Sequence, residues 1–306
     1  MAPQGARGKG VASGDRSFHN SANKKEVGSM ATLSISKAWE ETSAFFRREV
    51  RLVMPVALAM FTVPATLFGW YNPSGDPNQA TGGLGWPLTL IILILAISGQ
   101  MTIAGLSIGW SGSVGAALAQ SMRRVWSVLG AVLILFFPLT VVMILVIAVM
   151  VGRAGMTDPS QISPEALAAV PGLSLVVLIF TLIFLFLATR MFLVSAIGMV
   201  ETTNPISIIA RSWRLTAGHF LRLVGTLLLI LVVSFVASVA VTAVIGSLMT
   251  LAAGEPQPYN LSALIVSLAD GIVSAGISAV SAALVGRIYV QLSSAVPTVP
   301  EVKREA

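Results

Sequence analysis

The segment Trp126-SVLGAVLILFFPLTVVMILVIAVM-Val151 contains no charged residue, and Arg123-Arg124 and Arg153 stand just outside its two ends. About 20 apolar residues let a helix cross the ~30 Å hydrocarbon core of a bilayer. A run of this length and purity predicts a transmembrane helix. Five further runs read the same way: Met54–Trp70, Trp86–Gly109, Gly172–Ala196, Leu221–Leu251 and Leu261–Tyr289. The first is short and holds Pro55 and Pro64. The last two are long enough to tilt or to extend past the membrane. Trp70, Tyr71, Trp86, Trp126 and Tyr289 fall at run ends, as an interfacial aromatic belt requires. The expected fold class is all-α: a polytopic membrane protein with six transmembrane helices in three hairpins and amphipathic helices on the cytoplasmic face.

Composition points to the same solvent. The 306 residues are 55% hydrophobic and only 10% charged, against about 25% charged in soluble domains. Mean hydropathy is +0.86 and the pI about 10.2. A buried core of a large soluble protein does not account for six such runs alternating with sided charge. The net charge of +6 does not suggest nucleic acid, because the basic residues cap apolar runs instead of clustering among aromatics. In that position they meet anionic lipid headgroups. With no cysteine, disulfides and thiolate chemistry are excluded. With only His19 and His219, no multi-histidine metal site and no cofactor is expected.

Charge placement gives direction. Lys37, Arg47, Arg48 and Arg51 precede the first run; Arg123 and Arg124 lie between the second and third; Arg211, Arg214 and Arg222 lie between the fourth and fifth; Arg287, Lys303 and Arg304 end the chain. The alternate loops hold Asp76, Asp158, Glu165 and Glu255 against one base, Arg153. The positive-inside rule then places both termini in the cytoplasm. Residues 1–30 lack an apolar core and read as a disordered tail. Residues 31–292 form the membrane domain and 293–306 a second cytoplasmic tail.

A basic amphipathic segment precedes each odd-numbered span. The first sets Ile35, Trp39, Phe46 and Val50 at helical spacing, and the second is Ala119–Arg124. In the third, Asn204 suits an N-cap and Pro205 the first helical position. Ile206, Ile209, Trp213 and Phe220 then fall near one face, with Arg211 and Arg214 elsewhere. Such a helix can lie in the headgroup layer with its arginines toward phosphate. Arg211, Trp213, Arg214, His219 and Arg222 are therefore the candidate lipid-headgroup contacts.

Small residues four apart mark helix contacts in lipid. Span five offers Ser234, Ser238, Thr242 and Gly246, and span six offers Ser274, Ser278, Ala282 and Gly286. A tight antiparallel pair is expected. Spans three and four look peripheral, and Pro138 is expected to kink span three. Three polar residues lie at membrane depth: Asp270, Gln100 and Arg190. Arg190 is near enough to the inner end to snorkel. A carboxylate at mid-membrane is a functional candidate, although a single hydrogen bond to a neighbouring hydroxyl would also accommodate Asp270. No phosphate-binding loop, nucleophile elbow or H-E-x-x-H motif is present.

The stretch Glu201-Thr-Thr-Asn204-Pro205, followed by Ala210-Arg211-Ser212-Trp213-Arg214-Leu215-Thr216-Ala217-Gly218-His219-Phe220, resembles a known pattern. So does Lys37-Ala38-Trp39 with Phe45 and Phe46. Together they are similar to the membrane domain found beside bacterial glycerophosphoryl diester phosphodiesterases, from about Ser34 to Gln291. The run from Ser212 to Phe220 is the most telling part. The resemblance implies a bacterial plasma (inner) membrane protein. It implies no enzyme activity, because the phosphodiesterase chemistry belongs to a separate barrel domain that this sequence lacks. The expected function is a non-catalytic membrane module that binds anionic lipid or scaffolds a protein partner or a second copy of itself. The alternative is a small transporter or lipid-translocating protein with a polar cavity near Asp270 and Gln100.

Overall fold

Ser34 opens the first helix by accepting a hydrogen bond from the Lys37 amide at 3.3 Å, which satisfies one of the donors a helix start leaves free. In this computed structural model, residues 33–75, 85–155, 166–167, 169–201 and 204–295 are described. The expected terminal tails through residue 30 and beyond 295, and the loop acids Asp76, Asp158 and Glu165, lie outside the described residues.

Six helices are long and apolar enough to span a membrane, and among the described residues there are no strands. Span one comprises α1 (Ile35–Ala57), a wide π turn (Leu58–Thr62) and α2 (Val63–Tyr71). The turn ends just before Pro64, which has no N–H and whose ring would press on the Met60 carbonyl in a regular helix. Span two is α3 (Gly85–Ile108) and span three α4 (Val114–Arg153), which continues through Pro138. Span four is α5 (Leu173–Arg190), continued after a turn by α6 (Val194–Val200). The separate α7 (Pro205–Thr216) begins at Asn204, whose side chain accepts from the Ile206 amide at 3.0 Å. Span five is α8 (Phe220–Val241), a second π turn (Thr242–Gly246) and α9 (Ser247–Ala253). Span six is the single helix α10 (Leu261–Ala295).

Only α7 is a helix distinct from its span. The amphipathic segments before spans one and three run on without a break into α1 and α4. Nothing between Arg51 and Met54, or between Arg124 and Trp126, stops a helix, whereas Gly218 at φ +84° stops α7. The 40 residues of α4 reach about 60 Å at 1.5 Å per residue, roughly twice the hydrocarbon thickness.

Span six is the axis of the bundle, packed against spans one, two and five. Its small-residue face turns mainly to spans one and two, with Ala275, Ala279, Ala282, Ala283 and Gly286 buried. At Gly286 a Cβ would come within 2.0 Å of Ser107 Oγ and 2.7 Å of the Ala104 carbonyl. Ser107 donates to the Ala283 carbonyl at 3.2 Å, and Thr62 donates to the Gly271 carbonyl at 3.0 Å. Span five also packs along span six, through α8, the second π turn and α9, while the most buried small residues of span six meet spans one and two. On the outer side of span five, Val232, Phe235, Val236 and Val239 face outward. Spans one and two compete for the same stripe and present their own close-packing glycines, Gly69 against Ser267 and Gly105 against Met199.

The membrane faces of spans three and four expose Phe137, Leu145, Leu178 and Leu182, as their composition predicts. The densest burial lies at the end of the bundle that carries most of the described arginines, called here the basic end. There α6 is enclosed, with Val194, Ala196, Ile197, Gly198 and Met199 all buried. A Cβ on Gly198 would sit 2.3 Å from Val128 Cγ2.

Gly286→Ala is expected to destabilise the protein by about 2 kcal/mol, because backbone stands where the methyl must go. Gly276→Ala, on the same helix with open space around its Cβ position, should be neutral or stabilising by up to about 1 kcal/mol. Thermal unfolding in detergent compares the two directly.

Candidate functional site

Two constructions occupy the basic end: a set of arginines turned into the protein, and an apolar groove beside them. On α7 the buried residues are Ile208, Arg211, Ser212, Leu215 and Thr216, a face with helical i, i+3, i+4, i+7 periodicity. Ile206 is 68% exposed. Of the apolar face read from the sequence, Ile209 and Trp213 are half-buried, packed on the core and on Phe186. Ile208 and Leu215 form a second apolar stripe, and the polar residues between them find partners. Ser212 Oγ donates to the Arg190 carbonyl at 2.6 Å.

Arg190 does not snorkel. Its guanidinium carbon lies 5.5, 5.3 and 5.6 Å from the ring centres of Phe186, Trp213 and Phe220. Nη1 also approaches the Trp213 carbonyl and Thr216 Oγ1, each at 3.5 Å. A planar, weakly hydrated guanidinium suits such an aromatic enclosure better than an ammonium does. The Ser212-to-Phe220 run is thus a clasp around the last residue of α5.

Arg211 is also inward. It is 7% exposed, and its Nε donates to both carboxylate oxygens of Glu201, at 3.1 and 2.9 Å. Tyr289 of span six donates its hydroxyl to Glu201 Oε1 at 2.5 Å. This links the α6–α7 junction to the central helix. Arg124 donates to the Gly198 and Met199 carbonyls at 3.3 and 2.9 Å, tying α4 to the end of α6. Arg287 lies over Phe45 at 5.8 Å. Of the five expected headgroup contacts, Arg214 is exposed, His219 is half-buried and Trp213 encloses Arg190. Arg222 is exposed and donates to the Leu33 carbonyl at 2.6 Å, joining the start of span five to the start of α1.

Asp270 accepts a hydrogen bond from Ser238 of span five at 2.7 Å. Among the described residues it is the one hydrogen bond that joins these two spans. The π turn of span one packs on span six at the same level, through Thr62 and Gly271. Gln100 is exposed on α3. The contact of Gly286 with Ala104 and Ser107 sets the register of α3 beside α10. Gln100 then stands roughly 15 Å from the level of Asp270 along the helix axes.

The groove lies on the basic side of the Asp270–Ser238 bond. It has a volume of about 750 Å³ and is walled by Thr226–Val233 of span five, Gly276–Leu284 of span six and the first turns of α1. The volume falls within the range of small-ligand sites. Leu229, Ile230, Val233, Ile277, Val280 and Leu284 supply an apolar interior. The wall hydroxyls turn back on their own helices: Thr226 donates to the Arg222 carbonyl and Ser281 to the Ile277 carbonyl, both at 2.9 Å. Ser36, Trp39 and Glu40 of α1 complete the lining.

The sequence reading missed Glu201, Tyr289 and Arg124 as members of the basic-end network. Glu201 was legible as an acid among bases at the end of span four, but its partners come from helices far away in the chain. The groove had no local signal, because it exists only where three helices fail to close.

The chain belongs to the family described as a domain of unknown function (DUF7847), whose model matches residues 33–292. No curated protein and no solved structure matches it.

Glu201→Gln should destabilise the protein by about 3 kcal/mol, because it leaves the Arg211 charge buried without its counter-charge. Adding Arg211→Met should restore most of that loss. A double-mutant cycle read by thermal unfolding checks the pair; equal melting of Glu201→Gln and parent would show that the pairing contributes nothing.

Proposed function

We propose that this chain is a non-catalytic lipid-binding module of a bacterial plasma membrane, with its basic end in the cytoplasm and its site in the groove between α1, span five and span six. The single observation that carries the reading is the groove itself. It runs from the headgroup level toward the bilayer centre, is apolar along its length and polar at one end, and stops below the Asp270–Ser238 bond. That profile fits one acyl chain entering from the leaflet at the basic end. The charge asymmetry along the sequence supports the cytoplasmic assignment. The likeness of the Ser212–Phe220 run to the membrane domains beside glycerophosphoryl diester phosphodiesterases supports the bacterial setting.

The proposal moves the lipid contact away from the α7 arginines. Arg211 and Arg190 are committed to protein partners, so they hold the fold that forms the groove. A lipid-translocating role would need a polar path past Asp270, and the groove lining includes neither Asp270 nor Gln100.

The full chain purified in mild detergent should retain phospholipid in native mass spectrometry. Gly276 lines the groove and has open space at its Cβ position, so Gly276→Leu should fill the site without harming the helix. Retained lipid is expected to fall at least about fivefold, the effect of blocking apolar burial worth about 1 kcal/mol or more. Unchanged lipid content in a folded Gly276→Leu protein would defeat the reading.

A further inference from the structure

The groove's polar end carries chemistry that an acyl chain does not use. Trp39 is 52% exposed and Glu40 is exposed, and both line the groove where α1 meets the headgroup layer. The neighbouring Lys37 does not neutralise Glu40; it lies 4.0 Å from Glu41 instead. No hydrogen bond or ion pair of Glu40 occurs among the described residues. Arg222, one turn before Thr226, is not part of the lining and donates to the Leu33 carbonyl. The entrance therefore presents an aromatic face with a free carboxylate.

We infer that the groove selects a zwitterionic lipid with an ammonium headgroup, its ammonium between the Glu40 carboxylate and the Trp39 ring. The inference rests on the proposed groove function and names its ligand. An ammonium attracts both a carboxylate and the face of an indole, whereas an anionic glycerol headgroup meets Glu40 with like charge. The arginines that would have favoured anionic lipid are elsewhere in the fold: Arg190 within its aromatic rings, Arg211 on Glu201 and Arg124 on the α6 carbonyls. Charge complementarity at the entrance, and not the net charge of +6, then decides the headgroup. A primary ammonium also donates hydrogen bonds to the carboxylate, which favours phosphatidylethanolamine over lipids with a methylated head.

The test is competition in the full chain. Protein reconstituted in mixed micelles is offered phosphatidylethanolamine and phosphatidylglycerol with identical acyl chains, and retained lipid is read by native mass spectrometry. Phosphatidylethanolamine should be favoured by about fivefold, the size expected of one exposed ammonium–aromatic or ammonium–carboxylate contact. Glu40→Gln should reduce that preference to near parity. Trp39→Leu should reduce it part of the way. Preference for phosphatidylglycerol in the parent, or an unchanged ratio in Glu40→Gln, overturns the headgroup inference and leaves the groove reading standing. Gly276→Leu is the control for the groove: if both lipids are retained as before, the site itself is misplaced.

Discussion

In hydrocarbon, two apolar helices gain nothing by leaving lipid for each other, so association rests on close backbone approach and on hydrogen bonds. This chain meets that constraint along one helix. Gly286 lies against Ala104 and Ser107, Gly271 against Thr62 and Thr66, and Ser267 against Gly69. Each contact removes a side chain to bring backbones together. The remaining spans attach around that axis, and a gap between span five, span six and α1 leaves the groove.

The second organising element is the treatment of guanidinium groups. Arginine at a membrane surface is usually read as a group reaching for phosphate. Here several arginines are drawn into the protein because carbonyls at helix ends and one carboxylate await them. Arg124 meets the end of α6, Arg211 meets Glu201, and Arg190 meets an aromatic enclosure built partly by α7. Each links helices distant in sequence. The basic end is consequently an electrostatically tied cap, and the residues left free at its edge, Arg214 and Glu40 among them, are the ones available to outside partners.

The six spans were legible because the signal is long and one-dimensional: twenty or more apolar residues bounded by Arg pairs or Trp. The hydroxyl partner of Asp270 was legible in kind, since a lone carboxylate at that depth requires one. The second, buried face of α7 was not. Ile208 and Leu215 turn inward because the Arg190 carbonyl and Glu201 hold Ser212 and Arg211 on that side. The partner of span six's small-residue face was ambiguous, because spans one, two and five all carry small residues. The groove depends on three-body geometry, so its residues looked like ordinary lipid-facing leucines and isoleucines.

The concentration of burial around α6 has a mechanical consequence. Span four is gripped mainly through that enclosed helix, and span three mainly over its first half, so much of the remaining length of both is exposed. A bilayer that thins or thickens is then accommodated by altered tilt of these outer rods, at fractions of a kcal/mol per Å, with the grip undisturbed.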